Sequence, residues 1–313
     1  MQWMTLLFPV SGVETWFWLP PLVALVIAFV SSLVGISGAF LLLPFQMSVL
    51  NFTSPSVTAT NLVFNLVAIP SGVWRYFREG RMAWPLSWVI VAGSLPGMVV
   101  GFYLRVGYLP EFSHFKLFAG CVLLYIGYLQ WSEYLPWKKQ RLSGLEYKFS
   151  AQLAGRAGIN AGLAADARIR LRHFSMLRVE FEFWGESFSF NTLGMMLMAF
   201  VVGIVSGTYG IGGGAIIAPF CVAIFRLPVY AVAGAALAST LITSILGLVL
   251  YSVISTDSAI STQPDWALGL LFGLGGMVGM YLGARCQKYV SQKILRLLMG
   301  GLLVGIALKY LVA

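Results

Sequence analysis

The stretch Tyr209-Gly210-Ile211-Gly212-Gly213-Gly214 interrupts an apolar region, residues 191–225, that is otherwise long enough to cross a membrane. A membrane-spanning helix needs about 20 mostly apolar residues, and glycine at this density favours a turn instead. A second apolar region, residues 20–50, carries a similar interruption, Val34-Gly35-Ile36-Ser37-Gly38. We call residues 34–38 the first break and residues 209–214 the second break. Both predict a re-entrant hairpin, or a pair of half-length helices, in place of a straight span.

The composition places these regions in a lipid bilayer. Of the 313 residues, 59% are hydrophobic and 10% are charged, and the mean hydropathy is +0.85. Soluble domains are typically ~45–50% apolar and ~25% charged, so an ordinary soluble enzyme is excluded. The net charge of +9 does not indicate nucleic-acid binding, because no Lys or Arg precedes Arg75 and nine of the 20 basic residues fall between Lys138 and Arg178. Such clustering is typical of cytoplasmic loops in membrane proteins.

Charge also predicts the orientation of the spans. The basic loop around Arg75 and the basic stretch 136–190 are expected in the cytoplasm, whereas the acidic loop 255–265 and both termini are expected outside. Counted from these anchors, each broken region begins and ends on one side of the membrane. Full spans are predicted at 57–76, 84–104, 114–135, 229–253, 266–284 and 294–312.

The two broken regions predict an internal repeat. Placing Pro44 on Pro219 aligns the glycines of the two breaks, and residues 58–62 then resemble residues 237–241 after a four-residue insertion in the second copy. Each copy contains a hairpin and three spans. Because three is odd, the second copy enters the membrane from the opposite side, as in many secondary transporters.

The predicted fold is therefore an all-α membrane protein of two inverted repeats, each a glycine-broken re-entrant helical hairpin plus three transmembrane helices. Residues 1–135 form the first repeat and residues 191–313 the second. Residues 136–190 form a basic cytoplasmic loop. Its segments 168–172 and 179–183 alternate with period two, which is compatible with a small β-hairpin.

The glycine breaks predict a site for an anion. Backbone at membrane depth must find partners or line a cavity, and the first amides of a half-helix lack intrahelical acceptors. Amides at 38–40 and 213–216 are therefore candidate anion donors, assisted by polar side chains of the following spans. The candidate substrate-binding residues are Ser37, Gly38, Ala39, Thr60, Asn61, Gly212, Gly213, Gly214 and Thr240. Close helix packing by the glycines and interhelical hydrogen bonding by the hydroxyls remain the structural alternatives.

The sequence offers little for catalysis. Cys121, Cys221 and Cys286 are far apart in apolar runs, there are only two histidines, and neither break contains a carboxylate. No nucleophile–base pair, metal-ligand cluster or nucleotide-binding motif is recognisable. We therefore predict no catalytic residues, no metal, no cofactor and no enzymatic activity.

The second copy resembles the signature of the sulfite exporter TauE/SafE family. The residues that carry this resemblance are Tyr209-Gly210-Ile211-Gly212-Gly213-Gly214-Ala215, Pro219, Leu227-Pro228 and Ala238-Ser239-Thr240-Leu241. The first copy has a degenerate form, with Gly35-Ile36-Ser37-Gly38, Pro44, Pro55 and Ala59-Thr60-Asn61-Leu62. The resemblance covers nearly the whole chain apart from the central loop. Two departures, Ser37 in place of a frequent glycine and Asn61 in place of a usual serine, affect substrate choice or make the two halves unequal.

The resemblance implies a transporter that exports sulfite, a sulfonate or a related organic anion across a bacterial inner membrane by alternating access around the two breaks. The alternatives are an anion channel that uses the same breaks and a membrane anchor with a regulatory cytoplasmic loop. The expected partners are a small anionic substrate and the lipid bilayer, with no nucleic acid. A homodimer is kept open.

Overall fold

The computed structural model describes residues 5–109, 112–132, 168–253, 262–289 and 292–312. Two broken regions flank the central sheet, as helices α1 and α2 in the first half and α6 and α7 in the second. In chain order the helices are α1 (Leu19–Ser32), α2 (Ala39–Ser48), α3 (Ser56–Arg78), α4 (Trp84–Gly107), α5 (Phe112–Ser132), α6 (Thr192–Tyr209), α7 (Ile217–Ala223), α8 (Val229–Val253), α9 (Trp266–Cys286) and α10 (Gln292–Val312).

Five helices among the described residues, α3, α4, α6, α8 and α9, are long and apolar enough to cross a membrane. Four of them occupy predicted spans, and the predicted spans 114–135 and 294–312 correspond to the 21-residue helices α5 and α10. Large apolar side chains on the outer faces of the helices are exposed, among them Leu22, Leu197 and Val249. An apolar exterior of this kind is what lipid requires. The protein is thus a mostly helical, multi-pass membrane protein.

Short strands lie outside the helical part. Strands β1 (Thr5–Phe8) and β2 (Val13–Trp16) form an antiparallel hairpin ahead of α1. In the central loop, β3 (Ile169–Phe174), β4 (Arg178–Phe183) and β5 (Glu186–Asn191) form a three-stranded antiparallel sheet, one strand more than the hairpin expected at 168–172 and 179–183. Residues 133–167 of that loop lie outside the described residues.

Both breaks begin with the same turn. After α1, Gly35 has a φ of +75° and the Ile36 amide donates to the Ser31 carbonyl at 3.1 Å. After α6, Gly210 has a φ of +79° and the Ile211 amide donates to the Ser206 carbonyl, also at 3.1 Å. A left-handed glycine followed by this back-bond is a common way to end a helix. The turns occur at positions that the Pro44–Pro219 alignment pairs.

Two helix pairs pack through glycines spaced four residues apart. On α4 and on α9, three successive glycines lie against backbone carbonyls of the partner helix and leave no room for a side chain. The contacts on α4 are Gly93 with Met196, Gly97 with Phe200 and Gly101 with Ile204 of α6; those on α9 are Gly275 with Pro21, Gly279 with Leu25 and Gly283 with Phe29 of α1. The two sets are position-for-position counterparts, and in both the helices run parallel.

The contacts of the two breaks also pair different positions of α3 and α8 from those that the sequence alignment paired. Gly35 lies against Ala233, and Gly210 lies against Thr58. These partners are related by the same spacing that separates Pro44 from Pro219. The four-residue insertion inferred from the sequence is therefore wrong.

In the corrected register each polar residue has a different counterpart. Thr60 and Asn61 correspond to Ala235 and Ala236, and the counterpart of Thr240 is Asn65. The resemblance between residues 58–62 and 237–241 was a local coincidence of small and hydroxyl-bearing residues, one helical turn out of place.

Helix directions follow from the same contacts. Leu62 lies against Gly247 while Gly72 lies against Leu237, so the equivalent helices α3 and α8 are antiparallel. In contrast, α9 runs parallel to both α1 and α3, since Gly269 faces Val63 and Gly273 faces Val67. Because α1 and α3 run in the same direction, the chain between them returns to the side where α1 began. Helices α6, α4 and α8 are also parallel to one another. The chain between α6 and α8 must therefore return to the side where α6 began.

Candidate functional site

The interior around the two breaks is polar although the exterior is apolar. Hydroxyl and amide side chains from α3, α4 and α8 are fully or almost fully buried here: Asn61, Asn65, Ser94, Ser239, Thr240, Thr243 and Ser244. The breaks themselves lie among these side chains, and the Ser37 amide contacts the Ala215 carbonyl at 3.4 Å. The structure thus brings the two breaks together at one buried, polar position.

The second break presents a run of unpaired amides. Gly210 and Gly212 have φ values of +79° and +87°, and α7 does not begin until Ile217. Within the described part of the chain, the amides of Gly212, Gly213 and Gly214 donate to no backbone or side-chain acceptor. All three residues are buried. Successive amides next to left-handed residues form a concave donor surface that suits an anion.

The first break satisfies most of its own amides. The Ser37 amide donates to Ala215, and the Ser37 hydroxyl accepts from the Ala39 amide at 3.2 Å. Only the Gly38 amide lacks an acceptor among the described residues. Ser37 does not have a positive φ, unlike its counterpart Gly212. The serine hydroxyl therefore pairs the Ala39 amide at the start of α2, and the first break has fewer unpaired amides than the second.

Asn65 links the two breaks. Its Oδ1 accepts from the Ser37 hydroxyl at 2.6 Å, and its Nδ2 donates to the Ile211 carbonyl at 2.8 Å. The same Nδ2 donates to the Ser244 hydroxyl oxygen at 3.0 Å. The sequence analysis did not include Asn65 in the site. Its position four residues after Asn61, on one helical face, was the available signal.

Side chains of α4 and α8 enclose the second break. Gly212 lies against Ser244 and Thr240, Gly213 against Ser94, and Gly214 against Ser239. Most of these hydroxyls already donate within their own helix. Thr240 and Ser239 donate to the Ala236 carbonyl at 2.7 and 2.8 Å, and Ser94 donates to the Ile90 carbonyl at 2.7 Å. The donors left for a ligand are therefore mainly the backbone amides.

Thr60 and Asn61 have different surroundings. The Thr60 hydroxyl donates to the Ser56 carbonyl at 2.8 Å and accepts from the Asp265 amide at 2.9 Å, at the start of α9. The Thr60 hydroxyl is thus already used in the contact between α3 and the start of α9. The Asn61 side chain is buried, and neither its Nδ2 nor its Oδ1 has a partner in the described residues. It lies one turn from Asn65 on the same face of α3.

The predicted site residues thus fall into two groups. Ser37, Gly38, Ala39, Gly212, Gly213, Gly214 and Thr240 lie at or beside the paired breaks. Asn61 lies one turn away with its amide group free, and Thr60 lies further toward Asp265. Ser244 and Ser94 join the first group, although the sequence analysis did not select them.

Comparison with known proteins identifies the family of the chain. The family model described as sulfite exporter TauE/SafE matches residues 21–310. A probable membrane transporter protein, YunE, of Bacillus subtilis (strain 168) is 22% identical over 286 residues, which cover 88% of this chain and 90% of that protein. No solved structure matches. The family model spans both broken regions and all the long helices, so the chain belongs to the sulfite exporter TauE/SafE family of membrane transporters.

Proposed function

We propose that this protein is a secondary transporter that exports a small sulfur-containing anion, such as sulfite or a sulfonate, by alternating access around the two breaks. The observation that carries the proposal is the run of three buried, unpaired amides at Gly212, Gly213 and Gly214. An unpaired buried amide costs free energy unless an acceptor arrives. An oxyanion with several acceptor oxygens meets that requirement.

The chemistry suits an anion that must also be released. A formal positive charge near the bilayer centre costs at least ~2.5–3.5 kcal/mol, whereas backbone amides supply positive potential without it. A hydrogen bond to a charged group contributes about 1.5–3 kcal/mol. Three such bonds, reduced by desolvation of the anion, give affinities that permit both binding and departure. The Asn61 amide and the Ser244 hydroxyl would complete the site, with Thr240 packed against Gly212.

The inverted repeat supplies the conformational change. Its support is the recurrence of the glycine contacts in both halves and the antiparallel arrangement of α3 and α8. In such a repeat, one half can adopt the arrangement of the other, which exposes the site to the opposite side.

Charge at the two ends of the helical part supports the orientation. Arg75 and Arg81 form ion pairs with Glu79, near Lys288, and the Ile169 amide ties the central sheet to the same end by donating to Gly80. The opposite end has Asp265 at the start of α9. The arginine-rich end would face the cytoplasm of a bacterial inner membrane, with both termini outside.

Cysteine labelling tests this orientation in a variant that lacks the three native cysteines. Tyr108 is 77% exposed at the end proposed to lie outside, and Met176 is 90% exposed in the sheet proposed to lie inside. Tyr108→Cys should react with an impermeant maleimide added to intact cells. Met176→Cys should react only after the membrane is opened, and the reverse pattern would refute the orientation.

Ligand-dependent melting tests the function. Purified full-length protein is titrated with sulfite, sulfate, thiosulfate, taurine, sulfoacetate and acetate. An anion that binds only the folded state raises the midpoint of unfolding, by mass action. We expect a sulfur-containing anion to raise it most and to be carried across proteoliposomes with saturation. A response to acetate alone would refute the substrate class, and non-saturating flux at channel rates would refute the carrier mechanism.

A further inference from the structure

The last turn of α4 contains an arginine that is buried without a matching acid. Arg105 is 0% exposed. One guanidinium nitrogen, Nη1, donates to the Leu109 carbonyl, and the group stacks on the Phe115 ring at 3.8 Å. Its Nε and Nη2 atoms have no hydrogen-bond partner among the described residues, and no described Asp or Glu forms an ion pair with it.

Two further buried hydroxyls without partners, of Tyr251 and Thr58, lie between this end of α4 and the second break. The Tyr251 hydroxyl is buried and has no hydrogen-bond partner among the described residues, and the Tyr251 ring lies 4.7 Å from that of Phe102, one helical turn before Arg105 on α4. The Thr58 hydroxyl lies next to that of Tyr251, yet neither makes a hydrogen bond of normal geometry. Thr58 also packs directly against Gly210, which opens the second break. The three donors therefore stand between the second break and the end of α4.

At the opposite end of the helical part, the residues that correspond to Tyr251 and Arg105 form hydrogen bonds. Tyr76, the counterpart of Tyr251, donates to the Ser32 carbonyl at 3.0 Å. Gln287, the counterpart of Arg105, accepts from Arg81 at 2.7 Å and donates to the Leu33 carbonyl at 3.1 Å. The same fold thus satisfies its polar groups at one end and leaves them unpaired at the other.

We propose that Arg105, Tyr251 and Thr58 form a second anion-binding subsite, which receives the oxyanion as it passes from the second break to the outer end of the protein. A buried charge without a partner is strongly unfavourable, and an anion removes that cost. Guanidinium nitrogens in a planar fork suit the oxygens of a sulfite or sulfonate group. The identity of the anion rests on the proposed function; the subsite's preference for an anion does not.

A pair of matched tyrosine variants tests the subsite without a change in side-chain shape. Tyr251→Phe should weaken sulfite affinity about three- to tenfold and leave the melting temperature without ligand unchanged, because its hydroxyl has no partner. Tyr76→Phe should do the opposite, with unchanged affinity and a lower melting temperature. Arg105→Gln should weaken sulfite affinity at least about tenfold, whereas Arg285→Gln, at an exposed site on α9, should leave it unchanged.

The outcomes separate this subsite from the amides of the second break. Affinity is measured by sulfite titration of each purified variant, beside Gly212→Ala. Normal sulfite affinity in both Tyr251→Phe and Arg105→Gln would overturn the subsite, and a loss in Gly212→Ala alone would still support the proposed function. A loss in the Arg105 and Tyr251 variants with normal binding in Gly212→Ala would overturn the amide site and keep the subsite. If Arg105→Gln fails to fold, Tyr251→Phe decides the question alone.

Discussion

The first and second breaks share a turn and differ at the residue that follows its isoleucine, two positions after the left-handed glycine. Both start with a left-handed glycine and the same back-bond from an isoleucine amide. At the next position along, the first break has Ser37 and the second has Gly212. The serine caps the Ala39 amide and binds Asn65, whereas the glycine leaves three successive amides unpaired. The Ser37 hydroxyl therefore accounts for one of the two amides that are paired only in the first break, and the contact of the Ser37 amide with the Ala215 carbonyl accounts for the other.

Under the proposed function, this difference lets two similar halves of the chain form one site. A symmetric pair of open breaks would leave twice as many buried amides to satisfy. The first break instead has most of its amides paired, and Asn65 joins it to the second break by donating to the Ile211 carbonyl. Binding should therefore belong to the second break and stability to the first, and substitutions in each break can separate the two roles.

The largest effect is expected from Gly212→Leu. Gly212 has a φ of +87°, and a Cβ there would lie 2.6 Å from the Ser244 hydroxyl oxygen, so a side chain both strains the turn and fills the donor surface. Sulfite affinity should fall at least about a hundredfold, with loss of transport and normal insertion in the membrane. Gly305→Leu is the control, because Gly305 faces open space on α10. Near-normal binding in Gly212→Leu would mean that the glycines merely pack.

Asn65→Ala should cost the most stability among the polar changes. It leaves the Ser37 hydroxyl and the Ile211 carbonyl without their partners, which we expect to lower the free energy of unfolding by about 1–3 kcal/mol. Ser244→Ala removes only one acceptor and should cost about 0.6 kcal/mol. Melting in detergent measures both. Equal losses would show that Asn65 does not join the breaks.

The sequence predicted the parts of this fold that depend on local pattern. Apolar length located the helices, and glycine density located both breaks. The sequence alignment of α3 with α8 was not predictable from local pattern, because small residues repeat along α8 and allow several alignments. Only the packing of Gly35 on Ala233 and Gly210 on Thr58 selects one of them.

The site was predictable in outline and not in its polar details. The breaks themselves were identified because glycine in an apolar run is conspicuous. Hydroxyl direction depends on the nearest free carbonyl, so the engagement of Thr60 with Asp265 and of Thr240 with Ala236 had no sequence signal. Arg105 was not selected from the sequence, because burial at the end of a helix is a tertiary property.

A matched pair of alanines compares the breaks at equal steric cost. A Cβ on Gly213 would lie 3.0 Å from the Ser94 Cβ, and one on Gly38 would lie 3.0 Å from the Phe64 ring. Gly213→Ala should weaken sulfite affinity about tenfold, since it displaces the middle of three unpaired amides. Gly38→Ala shifts a break with one unpaired amide and should change affinity less than about threefold. Equal losses of affinity would assign binding to both breaks.

The smallest effect on sulfite affinity is expected from Ser37→Gly, which gives the first break the residue that stands at the equivalent position of the second. The variant loses the hydroxyl that caps Ala39 and binds Asn65, and it adds backbone freedom at a position without a positive φ. Each loss costs about 0.5–1.5 kcal/mol, partly offset by relaxation, so the melting temperature should fall by about 2–4 °C. Sulfite affinity should change less than about threefold, because the amides of Gly212, Gly213 and Gly214 are untouched.

Ser37→Ala separates the two parts of this change. It removes the hydroxyl but keeps the backbone restricted, so it should show most of the loss in melting temperature and the same sulfite affinity. If Ser37→Gly instead raises affinity about tenfold while Ser37→Ala does not, the freed first break binds the anion with its own amides. In that case the serine restrains a second, equivalent site, and the assignment of binding to the second break alone would be wrong.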